Sequence, residues 1–289
     1  AKWEVEVEPY LVGLWLGDGT ADEAAITNAD PEILEYCAAA APRHGVEMVA
    51  SWVPEKNTNT IRFRTGTRET QTGYNGVRRF FARLAASGEK RIPREYLLTD
   101  REARLQLLAG IPDTDGHASC GGCEITQKSR GLADQVVFLA RSLGFAAYLS
   151  EKTATIKDIG FSGTYYRIFI SGDLSAVPCK TERMKFAPRE QVKRVLVTGF
   201  TAEPIGDGDY YGFQLDGDGR FLLGDFTVTH NSTTGAEGIN RASESNVWWA
   251  AYNKHIQVEM EKKLSNPSAV AKTIHGVGYA CIKRRWPDT

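Results

Sequence analysis

The sequence predicts an α+β protein: two similar α/β halves in tandem, then a small all-β block and a short α/β piece. Three observations carry that expectation. An apolar, helix-like run that ends in Asp-Gly occurs twice, as Leu11-Val12-Gly13-Leu14-Trp15-Leu16-Gly17-Asp18-Gly19 and as Leu108-Ala109-Gly110-Ile111-Pro112-Asp113-Thr114-Asp115-Gly116. Each run is followed by a helical stretch and two β-branched or aromatic runs in the same order. From about Pro188 the texture changes to short strands, and beyond Ser232 it returns to alternating strand and helix.

The first motif helix is expected to begin at Pro9, since proline suits a first helical turn. A second helix closes at Gly45, 27 residues after Asp18, where a C-cap glycine belongs. Strands are then expected over Val46–Val53 and Thr60–Thr65. In the second half Thr99 and Glu102 have the spacing of a capping box, and Ala103, Leu107 and Ile111 recur at helical intervals. The following helix closes at Gly144, 29 residues after Asp115, ahead of strands at Phe145–Ser150 and Tyr165–Ile170. Short strands follow at Lys193–Val197, Asp209–Leu215 and Arg220–Thr229. After them come a strand at Val247–Tyr252 and a helix with Ile256, Met260 and Leu264 four apart. The domain reading is 1–187 (halves about 1–95 and 96–187), 188–231 and 232–289.

Composition sets bounds rather than a function. With 42% hydrophobic and 25% charged residues the chain is globular, and 35 basic against 36 acidic side chains give a net charge of −1, so any polyanion-binding patch must be local. No apolar run is long enough for a membrane span, and the N-terminus lacks the order of a signal peptide; a cytoplasmic protein with no membrane partner is expected. The five cysteines, Cys37, Cys120, Cys123, Cys179 and Cys281, are too few and too uneven for a disulfide framework. Cys120-Gly121-Gly122-Cys123 is a lone CxxC whose Gly-Gly centre reads first as a two-residue hairpin turn; zinc is the lesser reading.

Two helices packed through glycine-bearing faces approach closely, and their ends then bring Asp18 and Asp115 together. Paired carboxylates suit Mg²⁺, which takes oxygen ligands and keeps several waters, and so suit phosphodiester hydrolysis. A single Asp-Gly after a helix is an ordinary turn; it is the second copy in a matching context that favours a site. The cluster Arg78, Arg79, Arg83, Lys90, Arg91, Arg94, Arg101 and Arg104 supplies local positive charge for double-stranded DNA, with Phe80, Phe81 and Tyr96 read as core. Arg62, Arg64, Lys152 and Arg167 lie on strands that can enter a major groove; a merely charged outer face is the competing reading for each of them.

The two motifs, over about residues 9–187, resemble the dodecapeptide motifs of LAGLIDADG homing endonucleases. The resemblance implies a tandem pseudo-dimer of two αββαββα-like halves, in which Asp18 and Asp115 bind the catalytic metal and cut DNA. It also implies two lysines, Lys90 ahead of Ile92-Pro93 and Lys185 ahead of Phe186, that polarise the scissile phosphate or orient water; a solvated surface residue is the competing reading for either. Pro112 departs from the pattern. In a helix interior proline removes a hydrogen bond and clashes near Leu108, at about 3 kcal/mol, and a kink there is expected to displace Asp115.

The segment Tyr210-Tyr211-Gly212-Phe213-Gln214-Leu215, with Arg220 through His230-Asn231-Ser232, resembles the C-terminal splice junction of an intein. That resemblance implies that Asn231 cyclises to a succinimide and cuts the bond to Ser232, with His230 as acid and Ser232 as acyl acceptor. The chain has Gly219 and Arg220 where some relatives carry a further histidine, leaving Asp218 and Asp225 as nearby acid/base candidates. Splicing also needs an N-terminal Cys or Ser; Ala1 is neither, so a missing N-terminal intein segment is an expected partner. Ser232-Thr233-Thr234-Gly235, the strand at Val247–Tyr252, the helix from Asn253 and Ala271-Lys272-Thr273-Ile274-His275-Gly276 resemble the start of a superfamily-1 DNA helicase, the interrupted host extein. In that resemblance Ser232 is the hydroxyl residue of a Walker A loop. Two alternatives stay open: a splicing element whose endonuclease only binds DNA, and a helicase-associated DNA-binding domain without hydrolysis.

Overall fold

The computed structural model describes residues 4–20, 25–65, 75–85, 88–119, 121–156, 161–190, 201, 203, 219–243, 245, 247–251 and 253–286. The chain divides into two units, Ala1–Val195 and Leu196–Thr289. The expected strands at Lys193–Val197 and Asp209–Leu215, and Asp218, fall outside the described residues.

In the first unit the apolar run from Pro9 forms helix α1, Pro9–Asp18, with its proline in the first turn as expected. It runs directly into β1, Gly19–Thr20, and β2, Ala25–Asn28. Helix α2, Pro31–Ala40, is prolonged by a 3₁₀ turn that Gly45 closes at φ 64°, a left-handed value natural to glycine. Then come β3, Glu47–Val53, β4, Thr58–Arg64, and α3, Gly76–Ala85. The four strands form an antiparallel sheet in the order β1-β2-β4-β3.

The second half repeats this plan. A short α4, Arg94–Leu98, leads to α5, Arg101–Asp115, followed by β5, Gly116–Ser119, β6, Gly122–Gln127, α6, Arg130–Ser142, β7, Ala146–Ile156, and β8, Phe161–Ser171. The sheet order β5-β6-β8-β7 is the same topology as the first. Gly144 closes α6 at φ 92°, as its spacing predicted.

Two local expectations are corrected. The N-cap of α5 is Asp100, whose carboxyl oxygen accepts from the Ala103 amide at 2.9 Å, and Thr99 is buried one residue earlier. An Asp side chain is at least as good a cap as Thr, and the last residues of α4 leave Asp100 in the cap position. In the hairpin after α5, Ser119 pairs with Gly122, so Gly122 belongs to the strand and not to the turn; Cys120 lies outside the described residues. Gly121 takes φ 72° there, and Cys123 points into the core, where burial pushes its thiol up to about 12.

One continuous core lies between the helices and the inner faces of both sheets. Trp15 stacks on Phe81 with ring centroids 4.9 Å apart, Phe80 and Tyr96 continue the aromatic cluster, and Ile26, Ile61, Ile125 and Ile168 close it from the strands. The three aromatics of the basic stretch are thus core.

The second unit holds a β9, Arg220–Leu222, and β10, Val228–His230, antiparallel pair, then α7, Asn231–Asn240. A parallel pair, β11, Val247–Ala251, and β12, Ala269–Thr273, is joined by α8, Lys254–Lys263, and followed by α9, Ile274–Arg285. Asn253 caps α8 and Thr273 caps α9 through their side-chain oxygens. Among the described residues no helix is long and apolar enough to cross a membrane.

Candidate active site at the paired helix ends

Helices α1 and α5 meet through their smallest residues. A Cβ added at Gly13 would strike the Leu107 carbonyl and stand 2.9 Å from the Gly110 Cα. One added at Gly110 would strike the Tyr10 carbonyl and stand 2.7 Å from the Leu14 amide nitrogen. The two contacts mirror each other, residue for residue, as a pseudo-dyad between the helices demands. One turn further on, Gly17 faces the Thr114 hydroxyl. Backbone against backbone at this range is possible only without side chains, and it carries the two C-terminal residues, Asp18 and Asp115, to neighbouring points.

Pro112 does not break α5. The helix continues through it to Asp115, and the Gly116 amide returns to the Pro112 carbonyl. The proline is buried, and the Thr114 hydroxyl donates to the carbonyls of Gly110 and Ile111 at 3.2 and 2.9 Å, tying the last turn to the one before it. Asp115 still ends the helix, within reach of the Asp18 charge. A proline near a helix end loses one bond, and tertiary packing on both sides holds the rest.

Each carboxyl is charged at a cost. Desolvation raises the Asp18 pKa, against the lowering influence of Lys90 and Arg183. Asp115 is pushed up to about 7, first by desolvation and then by the charge of Asp18, with Lys90 opposing. The residue as a whole is exposed, so solvent screens part of that shift. The Gln127 amide holds its Oδ2 at 2.7 Å. Lys90 lies between the carboxyls electrostatically: its Nζ donates to the Leu16 and Gly17 carbonyls, both at 3.1 Å, and desolvation lowers its pKa to about 8 although both aspartates hold it up. A lysine capping the last carbonyls of α1 is also a favourable charge at that end of the helix dipole.

Lys185 is placed elsewhere. Its ammonium pairs with Glu182 on an exposed turn, and its charge does not register at either aspartate. The basic group at the end of α5 is Arg183, which no motif in the sequence marks. Its Nη1 donates to the Gly116 carbonyl at 2.9 Å, its Nη2 to the carbonyls of Asp113 and Thr114, and the guanidinium pairs with Asp30 at 3.3 Å. Both residues belong to one basic run, Lys180 to Lys185, and spacing alone does not say which of them reaches the helix end.

A second carboxyl, Asp113, is fully buried one turn inside α5. It accepts from Tyr10 Oη at 2.5 Å, from the amides of Lys180 and Thr181, and from the Thr181 hydroxyl at 2.6 Å. It is a structural tie joining α1, α5 and the irregular segment after β8. Among the described residues no group of three or more His, Cys, Asp and Glu side chains converges; Cys120 of the CxxC lies outside them.

The proposed DNA contacts separate into two surfaces. In β4, Ile61 and Phe63 face the core, so Arg62 and Arg64 share the outer face of the first sheet. In the second sheet Ile168 and Ile170 face the core, so Arg167, and Lys152 on the neighbouring strand, share the outer face; Arg167 pairs with Glu124 at 3.0 Å. Arg78, Arg79 and Arg83 lie on the exposed side of α3, whose Val77, Phe80 and Phe81 turn to the same core, and Arg83 reaches Glu6 at 2.5 Å. Arg91, just ahead of α4, and Arg94, its first residue, are exposed. Sheet face and helix face point away from each other across the core, which no reading of linear charge density distinguishes.

His230 ends β10 and Asn231 opens α7, so the junction lies at a strand-to-helix switch; the side chains of 229–234 fall outside the described residues.

Residues 102–176 match the LAGLIDADG-like domain family. Over 255 residues, 83% of this chain, the sequence is 28% identical to the replicative DNA helicase DnaB of Mycobacterium intracellulare, of which it covers 38%. It is 26% identical over 250 residues, 74% of the chain, to the homothallic switching endonuclease of Saccharomyces cerevisiae, of which it covers 42%. The chain thus spans less than half the length of either protein. Solved structures similar in part include mesophilic variants of the homing endonuclease I-DmoI, at 14% identity and a TM-score of 0.41 over 60% of this chain and 93% of that one. I-DmoI in complex with DNA and Mn is similar at 15% identity and a TM-score of 0.40, over 57% of this chain and 89% of that one. With its matched domain and these sequence relatives, the chain resembles an intein with an embedded LAGLIDADG homing endonuclease.

Proposed function

We propose that residues 1–187 are a divalent-cation-dependent DNA endonuclease and that the chain is cut or spliced at Asn231–Ser232. The observation that carries the nuclease reading is the meeting of Asp18 and Asp115 at two glycine-packed helix ends, with Lys90 beside both. The donor set suits Mg²⁺: two carboxyls that desolvation makes costly to ionise gain from a hard cation, and water and phosphate oxygens fill the remaining positions. A bound Mg²⁺ would supply Lewis-acid polarisation of the scissile phosphate. Lys90, held by the α1 carbonyls, places a positive charge where the phosphate's negative charge develops. Each motif helix hands over to the first strand of its own sheet, so duplex DNA along the outer sheet faces passes the carboxyls. Arg62, Arg64, Lys152 and Arg167 are the groups proposed to meet it; Arg78, Arg79, Arg83, Arg91 and Arg94 sit on the opposite side.

The splicing reading rests on the residues His230-Asn231-Ser232 and on their place where a strand gives way to a helix. The β-α-β unit of β11, α8 and β12 supports reading 232–289 as part of a host ATPase-like domain, because parallel pairs belong in sheets covered on both faces and Trp248 and Val270 are exposed. Plasmid carrying the uninterrupted host-gene site tests the nuclease: nicking that requires Mg²⁺ and is lost in Asp18→Asn is expected, and intact plasmid with the wild type contradicts it. A mass spectrum tests the junction, with release of the Ser232–Thr289 peptide, abolished in Asn231→Ala, as the expected outcome.

A further inference from the structure

The two motif helices end alike in charge but are held by different hands. The last carbonyls of α1 receive Lys90 from the linker between the halves. Those of α5 receive Arg183, which follows β8 and a 3₁₀ turn. The carbonyls of Thr114 and Gly116, the residues on either side of Asp115, both accept from this one guanidinium. The same guanidinium pairs with Asp30, which belongs to the first half and immediately precedes α2. Next to it the Glu182 amide reaches Glu32 at 3.4 Å. A planar fork with five donors can hold three carbonyls and a carboxylate at once; an ammonium cannot.

We infer that Arg183 is the positioning residue of the second carboxylate: by clamping the backbone on both sides of Asp115 and anchoring it to Asp30, it fixes the Asp115 carboxyl at the distance from Asp18 that one shared cation centre needs. The inference rests on the nuclease reading and adds a residue to it. Lys185, the neighbour that the resemblance implies, has no part in this role, because its ammonium is spent on Glu182. Asp113 fixes the body of the same turn from inside, through Lys180 and Thr181, so loss of Arg183 frees the end of α5 without unfolding it.

The test is divalent-cation binding by the whole chain, read by Mn²⁺ electron paramagnetic resonance, for the wild type, Arg183→Ala, Arg183→Lys and Lys185→Ala, with thermal melting and DNA affinity measured alongside. Arg183→Ala is expected to weaken Mn²⁺ binding about tenfold and to broaden the bound signal, with DNA affinity within about twofold of the wild type. Arg183→Lys should recover part of the loss, since one ammonium can reach one carbonyl, and Lys185→Ala should match the wild type. Unchanged Mn²⁺ affinity in Arg183→Ala, or a loss that only tracks a lowered melting temperature and is not improved by lysine, overturns the inference. If instead the wild type and Asp18→Asn bind Mn²⁺ equally, it is the nuclease reading that fails.

Discussion

Asp115 is the residue at which charge, burial and function meet. Its carboxyl ionises near pH 7, above its unfolded value near 4, because it is desolvated beside Asp18. Between those values the folded protein binds more protons than the unfolded one, so stability falls as pH rises through the window and the full cost stands above it. Asp115→Asn removes the cost. The metal-free variant should therefore melt above the wild type at pH 8, by about 1 kcal/mol once exposure is discounted, or roughly 2–4 °C, and the gap should close as pH falls toward 4. A scan without metal at several pH values checks this; a pH-independent difference would mean that the carboxyl is not strained by charge. At this scale the sequence was legible where a residue sits at a motif's end, as Asp18 and Asp115 do; Lys90, in the linker between the halves, was marked only by the resemblance. It was not legible for Arg183, because a side chain reaching a helix end 67 residues back in the chain leaves no local signal.

At the scale of elements, the repeat made both motif helices, both C-cap glycines and most long strands readable, since each has its own hydrophobic period or turn residue. The short strands β1, β2 and β5 carried no such period and emerge only through pairing with β4 and β6. Pro112 shows the converse: propensity argued for a kink, yet α5 runs through the proline to Asp115. What the helices cannot absorb is bulk between them. Gly13→Ala drives a methyl group into the Leu107 carbonyl and the Gly110 backbone, neither of which is a flexible side-chain tip. A loss of about 2–3 kcal/mol in chemical denaturation is expected, with cleavage falling further than stability because the carboxyls part. Full activity and native stability in Gly13→Ala would show the helices to be farther apart than described.

Over the whole molecule, the same topology appears twice, β1-β2-β4-β3 and β5-β6-β8-β7, and the glycine contacts of α1 and α5 exchange roles across the pair. The duplication was legible because it repeats in letters; the division of basic residues between a sheet face and a helix face was not, because it depends on which side of each element meets the core. The central claim is that this symmetry delivers two carboxylates to one cation centre. Mn²⁺ affinity across Asp18→Asn, Asp115→Asn and the double variant measures it most directly. The account predicts that either substitution alone weakens binding more than tenfold and that the double variant loses little more, the strong coupling of ligands to a shared ion. Two independent, additive losses would contradict it.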